Sequence, residues 1–535
     1  MTAVIDPTCA LAAVSGADLR VPLVQGGTSA YANFDHAASA PALRQVTDRI
    51  SQLLPYYASV HRGAGYASRI STECYEASRG SVARFLDADD DQVVVFTRNT
   101  TDSLNLLAGC VPGETVVLDI EHHANFLPWT RNGRRVVRAA ATLEETIQRI
   151  VAELCSRPAA LLAVTGASNV TGEVLPLERL AHIAHLCGAR ILVDAAQLAP
   201  HRRISLRESG IDYLAFSGHK LYAPFGSGVL VGRRDWLDAA DPYLAGGGAV
   251  RNVGVAEAEW APAPQRHEAG SPNVLGAAAI AAACDALAAL GPEELVAHER
   301  ALADRLRDGL AAIPGVNSVR IWSDSPDSVG IVAFTVDGYT PGHVAAYLSA
   351  EHAIGLRDGR FCAHPLLTSL GLDAALRASV GLGTTPADID RLITALTTLV
   401  TTGPTWTYAL TNGHWNPTPE NPPPHPRPHR RHPLPHRLNG PTGKRSSANM
   451  FGVSPVWVTS PDSGGTDNDG RPATAADHHD HCPAPARNHA VCAAAYGRFA
   501  SARGAVAWGL LQELQGGASG RSGRARLPSG TGRKQ

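Results

Sequence analysis

Six short runs constrain this chain most: QVVVFT (92–97), TVVLDI (115–120), ALLAVT (160–165), RILVD (190–194), DYLAFS (212–217) and GVLVGR (228–233). Most are apolar on both faces, so they have to be covered on both faces. With segments of helical period between them, they predict an α/β fold with a mainly parallel sheet between helix layers. One intervening segment, LPLERLAHIAHLCG, sets Leu177, Leu180, Ala181, Ala184 and Cys187 on one helical stripe and stops at Gly188. In such sheets, ligands sit beyond the carboxyl ends of the strands.

The chain of 535 residues is long enough for two or three domains. A large domain is expected over residues 31–291, behind an N-terminal arm at 1–30. From 292 the pattern changes. A long amphipathic helix (PEELVAHERALADRLRDGLAAIPG) precedes the strands SVRIW and VGIVAFTV, and further helices run to about 402. These predict a smaller α+β domain over 292–417. Residues 418–535 are rich in Pro, His and Arg, then in Gly, Ser, Ala and Pro. That composition cannot offset its ordering entropy, so the segment is expected to be disordered.

A net charge of −2 gives no bulk attraction to nucleic acid or a membrane surface. No basic stretch precedes the apolar residues of the N-terminus, so no secretory signal is expected. The Ala-rich run at 274–290 carries Asp285 and falls short of a membrane span, which predicts a buried helix. Nine cysteines without a C-x-x-C pair point to reduced thiols in a cytoplasmic protein. DHHDHC (477–482) has metal-ligand residue types but is crowded and has no second folded half, which gives adventitious binding at best, and GPTGKRSS (440–447) lacks the spacing of a phosphate-binding loop; no metal is expected.

Lysine is almost absent: it occurs only at 220, 444 and 534, and Arg serves everywhere else. Arg cannot form an imine or lose its proton near neutral pH, whereas a desolvated Lys can do both. Lys220 lies just past a predicted strand end, in FSGHK. Two other strand ends present Asp194 and Gln197 (VDAAQ) and His122 and His123 (EHHAN). A lysine, a carboxylate, an amide and an imidazole at one sheet edge are the groups that pyridoxal 5′-phosphate requires.

Ten stretches then carry a resemblance, in family order: FDHAASAP (34–41), VHRGAG (60–65), RNTTDSLN (98–105), EHHANFLPW (121–129), SNVTGEVLP (168–176), VDAAQLAPH (193–201), SGHKLYAPFGSG (217–228), EAGSPN (268–273), RDGRFCAHPLL (357–367) and RASVGLGTT (377–385). Over about 31–402 the chain resembles class V aminotransferases, the fold-type I pyridoxal-phosphate enzymes, and within them the cysteine desulfurase/selenocysteine lyase group. The resemblance implies that Lys220 holds the cofactor covalently and later moves the Cα proton. It implies that Asp194 pairs with the ring nitrogen, Gln197 bonds the ring oxygen and His122 stacks on the ring. Thr101, Ser217 and His219 would bind phosphate. Ser271 would do so from a second subunit, which implies a homodimer. Asn169 and Arg377 would hold the substrate carboxylate, with Arg357 close by. Asn99 stands where many relatives have Gly, at a position where Asn tolerates left-handed backbone.

Cys362 chooses among the reactions of such a family. Arg357, Arg360 and His364 are near it in sequence, and cations favour the thiolate. The resemblance implies a cysteine desulfurase, in which Cys362 takes sulfur from L-cysteine as a persulfide and L-alanine is released. A sulfur-acceptor or iron–sulfur scaffold protein would then receive the sulfur. With Cys362 as an incidental small apolar residue, the alternatives are a class V aminotransferase or a carbon–sulfur lyase or epimerase. GRFCAHP differs from the HHC form common in desulfurases. A non-catalytic protein on a retained fold fits poorly with an intact Lys, Asp and His set.

Overall fold

The computed structural model describes residues 10–61 and 63–418. Beyond residue 418, the segment expected to be disordered lies outside the described residues, and so do both motifs set aside above.

The large sheet contains β1 (Gln92–Thr97), β2 (Thr115–Leu118), β3 (Arg134–Val137), β4 (Leu161–Thr165), β5 (Arg190–Asp194), β6 (Tyr213–Ser217) and β7 (Gly228–Arg233). Their order is β1-β7-β6-β5-β4-β2-β3. Strands β2 to β6 are parallel, and β7 alone is reversed between β6 and β1. All six predicted runs are strands of this sheet. β3 has no counterpart among them: RRVV is too short to show a period, and its two arginines suit the sheet edge that it occupies.

Alternation along each strand divides the side chains between two cores. Val94, Val116, Leu162, Ile191, Leu214 and Val229 enter the first, against α1 (Tyr66–Phe85), α3 (Leu143–Ser156), α4 (Leu177–Leu186) and α5 (Val274–Leu290). Val95, Val117, Ala163, Leu192, Ala215 and Leu230 enter the second, against α2 (Thr100–Ala108). The Ala-rich run is α5, largely buried, and its small residues let α1 approach closely. No single helix among the described residues is long and apolar enough to cross a membrane.

A second lobe contains α6 (Pro292–Ala311), β8 (Val316–Val319), β9 (Ile331–Val336), α7 (Pro341–His352), β10 (Arg357–Gly359), β11 (Ala375–Ser379) and α8 (Pro386–Thr402). Its antiparallel sheet has the order β8-β9-β11-β10. β8 ends earlier than SVRIW predicts, because the N–H groups of Ile321 and Trp322 leave the sheet and donate to Glu173. Ala32 and Phe34 pack in this lobe's core, and Ala32–Asn33 pairs in parallel with Ile354–Gly355. Asp35, which follows Phe34, is thereby delivered beside β11, where it bridges with Ser379.

After α8 comes a hairpin absent from the sequence expectations, β12 (Thr407–Thr411) and β13 (His414–Thr418). It is fixed to α7. The Trp415 ring stacks on His343 at 4.6 Å, and Glu351 accepts hydrogen bonds from the N–H groups of Thr405 and Trp406 and from the Tyr408 hydroxyl.

Candidate active site

A cavity of about 790 Å³ opens at the carboxyl ends of β4, β5 and β6, where β10 and β11 of the second lobe meet them. Thr165, Asp194 and Ser217, the last residues of those three strands, lie in its wall, and Lys220 follows in the turn after β6. Of the residues singled out from the sequence, the cavity gathers Lys220, Asp194, Gln197, His122, Thr101, Ser217, His219, Asn169, Arg357, Arg377 and Cys362. Ser271 does not line it and is exposed.

Lys220 is a cation with little to hold it. Its amine makes no hydrogen bond or ion pair among the described residues. Burial pushes it down to about 8, with Arg377 adding to the shift and Asp194 opposing it. The Asp194 carboxyl is raised by burial, while the Ala196 N–H, 3.0 Å from Oδ1, and Lys220 oppose the rise. His122 is neutral: burial, Lys220, His123 and Arg377 together push it down to about 4. Its Nδ1 accepts from the Ala124 N–H at 3.1 Å, so the ring proton sits on Nε2. Gln197 donates to the Ala37 carbonyl at 2.7 Å, which fixes its amide plane.

The N-terminus of α2 also lines the cavity, and its dipole favours an anion. Asn99 is its N-cap, accepting from the Asp102 N–H, with an extended φ of −174°. The left-handed tolerance invoked for Asn99 is therefore not used. Instead, Gly228 of β7 approaches the Asn99 backbone so closely that a Cβ there would lie 2.5 Å from its Cα. The Ser217 hydroxyl is held by the N–H and hydroxyl of Thr100, at 2.8 and 2.7 Å. Thr100 is thus part of this end of the site, though the sequence reading gave it no role.

The thiol side is built from the second lobe. Arg377 is buried in β11, donates to the Asn169 carbonyl at 2.7 Å and pairs with Asp35 at 3.2 Å. Its Nε has no partner among the described residues. Cys362 is exposed at the cavity wall. Phe361 and Cys362 both have φ of +52°, and left-handed backbone at a side-chain-bearing residue costs roughly 1–2 kcal/mol. Their carbonyls are pinned. Asn169 Nδ2 donates to the Phe361 carbonyl at 2.8 Å, and the His123 N–H donates to the Cys362 carbonyl at 2.8 Å.

Glu121 was missed by the sequence reading, although a charged residue directly after an apolar strand run was a signal. It is fully buried and accepts from the Thr165 N–H at 3.0 Å and from Asn125 Nδ2 at 2.7 Å. Burial pushes its carboxyl up to about 8, and Asp194 adds to the rise. An unfolded chain would release this proton near the ordinary value of 4.5, so raising the pH from 4.5 to 8 favours unfolding through this group. Glu121→Gln is expected to lose less melting temperature than the parent protein between pH 5 and pH 8. Equal losses in both proteins would show that the carboxyl carries none of this dependence.

Comparisons with known proteins agree with this geometry. Residues 32–392 match the family model of aminotransferase class-V. The cysteine desulfurase of Dickeya dadantii (strain 3937) is 37% identical over 388 residues, which is 70% of this chain and 92% of that protein. Among solved structures, cysteine desulfurase CsdA of Escherichia coli (S-sulfonic acid) aligns with a TM-score of 0.62 at 36% identity, covering 68% of this chain and 94% of that one. The apo cysteine desulfurase of Thermococcus onnurineus NA1 aligns with a TM-score of 0.64 at 32% identity, covering 69% and 94%.

Proposed function

The chain belongs to the aminotransferase class-V family, and we propose that it is a cysteine desulfurase that uses pyridoxal 5′-phosphate and takes sulfur from L-cysteine onto Cys362. One observation carries the choice of reaction: an exposed cysteine on a strained, pinned loop lines the same cavity as a lysine whose amine has no hydrogen-bond or ion-pair partner among the described residues.

The residues present fit this cofactor. Lys220 offers an amine close to its neutral form, Asp194 a buried carboxylate in need of a cation, and α2 an N-terminus open to phosphate. Lys220 would hold the aldehyde, Asp194 the ring nitrogen, Gln197 the ring oxygen and His122 the ring face. Thr101, Ser217 and His219 would surround the phosphate, with Ser217 oriented by Thr100. Bound there, the cofactor supplies an electron sink for charge developing at the substrate Cα.

Arg377 and Asn169 would hold the substrate carboxylate, with Arg357 at the rim. Arg377 is already oriented by Asp35 and by the Asn169 carbonyl. Lys220 takes the Cα proton, for which an amine titrating near 8 is well matched. The Cys362 thiolate then attacks the substrate sulfur. A sulfur–sulfur bond forms, and the carbon–sulfur bond breaks with its electron pair remaining on the carbon skeleton. That skeleton takes up a proton at Cβ, regains the Cα proton from Lys220 and leaves as L-alanine, while Cys362 keeps the persulfide. Passing on that sulfur calls for a thiol-bearing acceptor protein.

We propose a homodimer as well. Ser271 is exposed and outside its own cavity, and Leu54, Tyr56, Tyr57 and Tyr66 form an exposed apolar group where α1 begins. The thiol chemistry suits the cytoplasm.

Turnover of L-cysteine with a reductant present tests the reaction. Alanine and sulfide are expected in equal amounts. Sulfide with pyruvate in place of alanine would make the protein a lyase. Conversion of the bound cofactor to its amine form by an amino donor would make it an aminotransferase.

A further inference from the structure

The segment around Cys362 differs from the form common in desulfurases at Phe361, and the structure gives that residue contacts of its own. The Arg377 guanidinium carbon lies 5.2 Å from the centroid of the Phe361 ring. Both side chains are buried: Phe361 is 7% exposed and Arg377 4%. The Phe361 carbonyl accepts from Asn169 Nδ2, and the Asn169 carbonyl accepts from Arg377 Nη1. Phe361, Asn169 and Arg377 thus form a closed triangle of one ring–cation contact and two hydrogen bonds. The strained residue that follows in the chain is Cys362.

We propose that Phe361 is a positioning residue that docks the Cys362 loop onto the arginine that holds the substrate carboxylate, so that the thiol is presented in register with a bound substrate. The inference rests on the desulfurase reading and adds to it the element that places the nucleophile. A thiolate has to meet the substrate sulfur in line, and small displacements of a reacting group lower rates steeply. The backbone at Phe361 and Cys362 is unfavourable in isolation, so contacts outside the loop have to hold it there. The ring supplies one such contact, against the Arg377 guanidinium.

The test compares holoenzyme carrying Phe361→Leu, which fills the volume without a π face, with holoenzyme carrying Phe361→Tyr, which keeps the face. Two readouts are taken: kcat and KM for alanine formation, and amide hydrogen exchange over residues 357–367. In the leucine variant, kcat is expected to fall about five- to thirtyfold, the factor that about 1–2 kcal/mol of cation–ring contact is worth, with KM changed less than about twofold. Exchange over the loop is expected to quicken by a similar factor. Phe361→Tyr is expected to restore both.

Unchanged exchange in Phe361→Leu would overturn the docking role. Faster exchange with unchanged kcat would overturn its link to the thiol, and an effect confined to KM would do the same. An equal loss in the tyrosine variant would show that the ring face is not what matters. Should the leucine variant fail to take up cofactor, Phe361→Met supplies the second apolar filler. A parent protein that makes no alanine would sink the desulfurase reading instead, while the exchange comparison would still report whether Phe361 docks the loop.

Discussion

Replacing Cys362 by alanine is expected to lower alanine formation from L-cysteine by at least about a thousandfold, as loss of a covalent nucleophile does elsewhere. The absorbance of the bound cofactor should stay as it is, because Cys362 comes from the second lobe whereas Lys220, Asp194 and His122 come from the large one. Mass spectrometry of the parent protein after a single turnover without reductant should find one extra sulfur on Cys362. Cys110 and Cys284 are poor alternatives: burial pushes the Cys110 thiol up to about 12 and raises that of Cys284 as well, which keeps both protonated. A Cys362→Ala variant that retains a tenth of the parent's alanine production would remove the thiol from the reaction.

Lys220→Ala should be more damaging still. It removes the amine proposed to hold the cofactor and to move the Cα proton, and turnover is expected to fall by at least about ten-thousandfold. Cofactor added to this variant should pass through a gel-filtration column as separable ligand, whereas the parent retains it. The parent also carries a pH signature. Only the neutral amine attacks an aldehyde, and the Lys220 amine titrates near 8, so the uptake rate of cofactor-free protein should rise between pH 7 and pH 9 and then level off. Uptake that is flat across that range would contradict the lowered amine, whatever the turnover.

Much of the site was legible because its groups sit at the ends of apolar strand runs. Asp194 closes RILVD, and Lys220 follows DYLAFS by three residues. The parallel sheet obliges both to emerge at the same edge. The scarcity of lysine made Lys220 stand out before any family resemblance did. What was not legible depends on contacts across the chain. Glu121 reads as a surface acid until Thr165 and Asn125 are seen to bury it. Asp35 lies in a matched stretch, yet nothing local says that it will pair with Arg377. Phe361 reads as a core residue, and only the fold brings its ring to a guanidinium. The β12–β13 hairpin was missed because TYALT and HWNPT are short and polar, and their anchor, Glu351, lies on a distant helix.

The way the cavity wall is divided along the chain has a consequence for biosynthesis. Within one subunit the groups assigned to the cofactor lie between His122 and Lys220, apart from Thr101 just upstream, and Ser271 is assigned from a second subunit, whereas the arginine assigned to the carboxylate and the thiol arrive with β10, β11 and the loop between them. A nascent chain emerging from the ribosome exposes the first set well before the second, and domains fold as units as they emerge. Cofactor capture could therefore precede completion of the second lobe. During that interval the nascent protein would have its amine chemistry but neither Arg377 nor Cys362 to direct it. Translational pausing ahead of residue 357 would lengthen the interval, and rapid elongation through β11 would shorten it.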